Sequence, residues 1–194
     1  GDVATVAVQE IFEGLGAFVW RNELEQVPAA ELQRVFAEAY VPRVLPGAEV
    51  VGMEVIGRED YEAPFELRYV ARVRGLGRVA GGQRLVPPLF PTMLARGYAS
   101  LPSRTTTQGV GGNAQDVTIR VRGVQGDVAT LPDVQLGNDD VQYARRTRRD
   151  GDAVVLERRL RLSPTIVPAA QYAPFAELMR RITDAETSEL PIGR

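Results

Sequence analysis

Between Ala153 and Leu162, apolar and polar residues take turns. Val154, Leu156, Leu160 and Leu162 fall on one side, and Val155, Glu157, Arg159 and Arg161 on the other. A period of two with one apolar set predicts a strand that covers a core with a single face. Residues 141–149 form a second extended run, and Asp150-Gly151-Asp152 between the two supplies residues that tolerate positive φ, so the spacing predicts an antiparallel hairpin. Pro164 and Pro168 end the second strand, because each lacks the amide that a ladder requires. Tyr172, Phe175, Met179 and Ile182, with Leu178 beside them, then recur at intervals of three and four. That stripe predicts an amphipathic helix of about four turns, with Arg180, Arg181, Asp184 and Glu186 on its wet side. Laying the stripe on the apolar face of the hairpin buries both.

The first half reads as strand, helices and further strands. Residues 3–12 are β-rich and partly alternating, and residues 17–26, carrying Phe18, Trp20 and Leu24, fit helix or strand. Pro28 suits a first helical turn. Leu32, Val35, Phe36, Ala39 and Tyr40 follow at helical spacing, and the helix is expected to reach about Val41, with Pro42, Pro46 and Gly47 as its stop. Residues 48–57 and 65–74 alternate as strands around an acidic connector, 58–64. Residues 75–82 read as a turn. The proline-rich stretch 85–101 marks the best boundary, because few ladder bonds can cross it. Beyond it come a glycine-rich loop at 109–113, a strand at 116–122, a turn at 123–127 and short strands at 128–131 and 134–136. The expected fold class is α+β. An N-terminal strand-helix-strand subdomain (1–98) precedes a β-rich subdomain (99–194), a small antiparallel sheet or sandwich closed by the C-terminal amphipathic helix.

Composition narrows the chemistry. At 194 residues, 44% hydrophobic and 25% charged, the chain is that of a globular protein. Cysteine and histidine are absent, and all 23 basic residues are arginine. Thiol and imidazole nucleophiles, the usual zinc sites and lysine Schiff bases are therefore excluded. A net charge of −2 argues against a nucleic-acid partner, and no apolar run approaches the ~20 residues of a membrane span. Neither cofactor nor metal is expected.

Each candidate site has a plainer explanation beside it. Asn138, Asp139, Asp140, Asp150 and Asp152 carry calcium-ligand chemistry, but a nine-residue strand separates the two groups by about 30 Å, so turn chemistry accounts for them. Glu59, Asp60 and Glu62 are placed for acid/base work or simply solvate a connector. Gly75-Leu76-Gly77 and residues 109–112 lack the strand-to-helix context of a phosphate loop. Trp20 with Phe18, and Tyr61 or Tyr69, line either a ligand surface or the core. The arginines at 145, 146, 148, 149, 158, 159 and 161 offer a basic face for an anionic glycan or lipid, or a solvated face that resists edge pairing. Strand geometry divides this set between two faces, and Arg146, Arg148, Arg159 and Arg161 are the expected binding residues.

Three stretches in the first half carry a family resemblance: Gly14 through Ala17 to Arg21, Leu45-Pro46-Gly47-Ala48-Glu49-Val50, and Pro64-Phe65-Glu66-Leu67-Arg68-Tyr69. Together with Val167, Tyr172, Phe175, Arg181, Asp184, Ala185 and Glu186 near the end, they resemble the region that follows the catalytic core in bacterial transglutaminase-like proteins with flanking β-rich domains. The resemblance implies a non-catalytic accessory module, C-terminal to a transglutaminase-like domain. The family's Cys-His-Asp triad lies upstream of this region, so no catalytic residue carries over. It implies a periplasmic or cell-envelope location, with other domains of the same parent chain as partners. Envelope proteins and anionic glycans are the further candidates, the latter for a stand-alone binding or adhesion domain that uses the Arg-bearing hairpin.

Overall fold

Hydrogen bonding follows the alternation. A computed structural model describes residues 3–80, 83–123 and 130–192, and the chain is a mixed α+β fold built on one large antiparallel sheet. In chain order the elements are β1 (Val3–Gly14), α1 (Leu15–Leu24), α2 (Leu32–Ala39), α3 (Val41–Val44), β2 (Ala48–Ile56) and β3 (Phe65–Arg74). There follow β4 (Arg78–Ala80), β5 (Gln83–Val86), α4 (Leu94–Tyr98), β6 (Gln108–Val110), β7 (Asn113–Arg122) and β8 (Val134–Gly137). The tail comprises β9 (Val141–Asp150), β10 (Ala153–Leu162), β11 (Thr165–Val167), α5 (Tyr172–Glu186) and β12 (Leu190–Ile192). The large sheet has seven strands in the order β2-β3-β1-β7-β10-β9-β8, and β4-β5-β12 and β6-β11 form smaller ones.

The tail hairpin pairs Ala153 with Asp150 and Leu162 with Val141, and Gly151 turns it at φ 61°. Leu160 and Leu162 of β10 and Val141 and Tyr143 of β9 share one hydrophobic cluster with Tyr172, Phe175, Met179 and Ile182 of α5. A second cluster joins Val6, Val8 and Phe12 of β1 to Phe65, Leu67 and Tyr69 of β3 and to Phe36 of α2. The long strands of the β-rich segment join the strands of the first half in one sheet. Its strand β7 pairs with β1 over ten positions, so one ladder spans residues from both sides of the 98/99 boundary. Periodicity within each half carries no information about that pairing.

Three local expectations are corrected. The helix placed up to Val41 breaks at Tyr40, and α3 runs on to Val44 with Pro42 in its first turn, where a missing amide costs nothing. The stretch read as a turn at 75–82 contains β4. Glu186, placed on the wet side of the tail helix, is buried. The turn at 123–127 falls mostly outside the described residues, as does part of the strand at 128–131, where 130 and 131 are not in a strand.

Arg21 fixes the connector between β2 and β3. Buried at the end of α1, it donates from Nε and Nη2 to the Gly57 carbonyl (3.0 and 2.8 Å), and from Nη2 to those of Asp60 (2.7 Å) and Ala63 (2.6 Å). The same guanidinium lies 5.3 Å from the Tyr61 ring centroid. Replacing Arg21 with alanine leaves three carbonyls without their donor, and is expected to cost about 2 kcal/mol. Limited proteolysis checks this: cleavage within residues 58–63 should accelerate relative to the parent chain.

Candidate functional site

A polar seam crosses the inner face of the large sheet where the two hydrophobic clusters meet. Its strand members, Glu10, Gln115 and Arg158, occupy positions of apolar parity, so the pleat turns them inward. Glu10 lies between Val8 and Phe12 on β1 and is fully buried. Its carboxylate accepts from the Tyr40 hydroxyl (2.9 and 3.0 Å), the Tyr69 hydroxyl (3.2 Å) and Gln115 Nε2 (3.4 Å). Gln115 Oε1 accepts from Arg158 Nη2 at 3.0 Å. Arg158 Nη1 in turn donates to the Phe90 carbonyl and to Glu186 Oε1, the latter at 3.2 Å. Glu186 Oε2 closes the chain by accepting from the Thr92 amide (2.9 Å) and hydroxyl (2.6 Å). These bonds clamp the segment that holds two left-handed non-glycine residues, Phe90 (φ 57°) and Met93 (φ 55°), a backbone cost offset by the network.

Burial pushes the Glu10 carboxyl up to about 7, against the opposing pull of the Tyr40 hydroxyl, the Arg158 charge, Tyr69 and Gln115. Burial and the neighbouring Glu10 also raise the Tyr40 and Tyr69 hydroxyls far above the ordinary tyrosine range, so both remain donors. A carboxyl titrating near neutrality suits a general base, but catalysis also needs contact with a substrate. Glu10 is 0% exposed, so its carboxyl has no contact with solvent and its bonds tie the fold together.

Arg146, Arg148, Arg159 and Arg161 all project from the outer face, while Arg145, Arg149 and Arg158 belong to the inner set of positions. The four outward arginines are compensated. Arg161 forms a two-armed pair with Asp116 (2.7 and 2.8 Å), and Arg159 reaches the same carboxylate at 3.4 Å. Arg148 lies 3.5 Å from Asp150 and 3.3 Å from Glu157, and Arg146 is 3.8 Å from Asp133. Nearby, Ala7, Gly52, Val70 and Thr118 floor an open hollow of about 620 Å³, rimmed by Glu54, Arg68 and Arg120.

The remaining candidates separate cleanly. Asn138 Oδ1 accepts from the amides of Asp140 (3.0 Å) and Val141 (2.8 Å), and Asp60 Oδ1 from those of Glu62 (3.0 Å) and Ala63 (3.3 Å), so both are turn-forming side chains. Among the described residues no group of three acidic side chains is arranged to hold a metal ion, and no helix is long and apolar enough to cross a membrane. Gly75 and Gly77 adopt positive φ in a turn. Trp20 stacks on Phe65, with centroids 5.9 Å apart and 5° between planes. Phe18, two residues earlier, turns outward: with Leu15 and Val19 it forms an exposed apolar trio on α1 (58%, 52% and 44% exposed). No family model, curated protein or solved structure matches the chain.

Sequence reasoning missed Glu10, grouped Arg145 and Arg158 with a basic face instead of seeing them as buried, and placed Glu186 on the wet side of its helix. For the three strand residues the signal was present: each occupies an inward position within an alternating run. A charge at such a position reads as a break in the pattern until its partner is known, and every partner here is distant in sequence.

Proposed function

We propose that this chain is a non-catalytic interaction module that docks, through α1, against a transglutaminase-like domain of the same parent polypeptide in the bacterial envelope. The observation behind this reading is the apolar trio Leu15, Phe18 and Val19, spaced three and four residues apart on one side of a helix and left in water. Such spacing supplies the anchors of a helix seated against a partner. The absence of cysteine, histidine and lysine from the chain agrees with an accessory role, and the family assignment rests on the sequence resemblance. In this reading α5 closes the inner face of the sheet, leaving α1 and the outer face for partners.

Calorimetric titration with the transglutaminase-like domain encoded in the same reading frame tests it. Phe18→Asp is expected to weaken binding at least tenfold, with roughly the loss of one buried aromatic anchor, and to leave the unfolding midpoint unchanged. Absence of binding, or indifference to Phe18→Asp, would remove the docking reading. Acyl transfer by the purified chain itself would remove the non-catalytic one.

A second reading has one observation in its favour: Arg146, Arg148, Arg159 and Arg161 share a face. An anionic glycan or lipid headgroup would then displace Asp116 and Glu157 from their ion pairs. Binding that weakens steeply with salt and vanishes in Arg159→Ala/Arg161→Ala supports it; salt-independent binding counts against it.

A further inference from the structure

We infer that the small cavity between β9, β10, the 87–89 segment and the end of α5 is a binding site for a monatomic anion, chloride under ordinary conditions. Arg145 and Arg158 stand directly opposite one another across the β9–β10 ladder, both on the inner face and only 5% and 6% exposed. Like charges so placed repel, and in a dry interior they need compensation. Glu186 supplies one negative charge and spends it on Arg158, at 3.2 Å. Arg145 donates from Nη1 to the Ala185 carbonyl and from Nη2 to that of Pro132 (3.3 Å), both neutral acceptors. Among the described residues it has no carboxylate partner. Glu10, the next acid along the seam, reaches Arg158 only through Gln115.

The unused donors belong to residues that line one cavity. Nε of Arg145, Nε of Arg158 and the Tyr143 hydroxyl are all buried without a hydrogen-bond partner. Those three residues and Glu186 line a cavity of about 20 Å³ whose remaining walls are mainly proline and leucine. A single water needs about 10–15 Å³, so the space suits one small occupant. Guanidinium Nε–H groups can only donate, and burial, with Glu186 adding to it, raises the Tyr143 hydroxyl to about 12, keeping its proton in place. Both oxygens of Glu186, the carboxylate on the wall, are already engaged by Arg158 and Thr92. A water can accept from two donors and carries no charge to set against Arg145. A halide accepts from every side and neutralises the unpaired cation.

Crystals of the full chain grown with bromide in place of chloride test the site. The expected result is an anomalous peak in contact with Nε of Arg145 and Arg158. Water alone at that position overturns the inference. In solution, unfolding midpoints compared at equal ionic strength in sodium chloride and sodium gluconate, an anion too large for the cavity, should differ. Chloride is expected to raise the midpoint by about 4 °C for each tenfold excess over its dissociation constant, and identical midpoints overturn the site. Tyr143→Phe keeps the ring and removes one donor, so it should fold and bind chloride about tenfold more weakly; undiminished affinity would exclude Tyr143 and with it the arrangement argued here.

Discussion

Arg158→Ala is expected to be the most damaging single substitution in this protein, at a cost of about 3–5 kcal/mol. The guanidinium holds together three elements that are remote in sequence. It donates to the Phe90 carbonyl in the strained 90–93 segment, to Gln115 on β7 and to Glu186 at the end of α5. Deleting it strands the Glu186 carboxylate, whose side chain is 1% exposed, with only Thr92 to satisfy it. An uncompensated buried charge costs more than the original pair contributed, because desolvation remains after the attraction has gone. The double variant Arg158→Met/Glu186→Gln should recover at least half of the loss. Its amide still accepts from Thr92, and the charge that Arg158→Ala strands at residue 186 is gone. Urea unfolding followed by the fluorescence of Trp20 measures both, and strictly additive losses would show that the two residues act separately.

Glu10→Gln is expected to flatten the pH dependence of stability between pH 4.5 and about 7. The Glu10 carboxyl rises from its ordinary 4.5 to about 7 on folding, so within this window the folded chain holds a proton that the unfolded chain has released. Stability from this group is complete below pH 4.5 and falls as the pH climbs, with a plateau above about 7. The loss is on the order of 3 kcal/mol, at about 1.4 kcal/mol for each pH unit. Glutamine carries no titrating proton, so the variant should equal the parent at low pH and exceed it at pH 8. Subtracting one denaturation profile from the other isolates the contribution from carboxylates elsewhere, such as Asp150, which its Arg120 hydrogen bond holds below the usual range. A constant difference across the window would mean that the Glu10 proton is not coupled to folding. Since the Arg158 charge pulls this carboxyl down, the midpoint of the difference should move upward in Arg158→Ala.

Both substitutions lie where short-range pattern and long-range structure part company. Alternation along residues 153–162 placed Leu160 inside and Arg159 and Arg161 outside, as the strand pairings have them. The stripe from Tyr172 to Ile182 located α5, and Asp150-Gly151-Asp152 located the hairpin turn. Each of these rests on bonds and side-chain directions set within a few residues, so the sequence carries them openly.

The amino-acid sequence by itself determined the long strands of the sheet and the tail helix, the apolar face of each, and, through the lack of cysteine, histidine and lysine, which side-chain nucleophiles the chain does not carry. Only the tertiary structure decided that β1 lies beside β7, that Glu186 swings from the wet side of its helix to meet Arg158, and that Arg145 faces Arg158 across a cavity. The physical reason is one of range. Periodicity reports the environment of a residue averaged over its own turn or pleat, whereas a buried charge is tolerable only through the particular partner the fold brings to it, here from 28 positions away for Glu186 and Arg158.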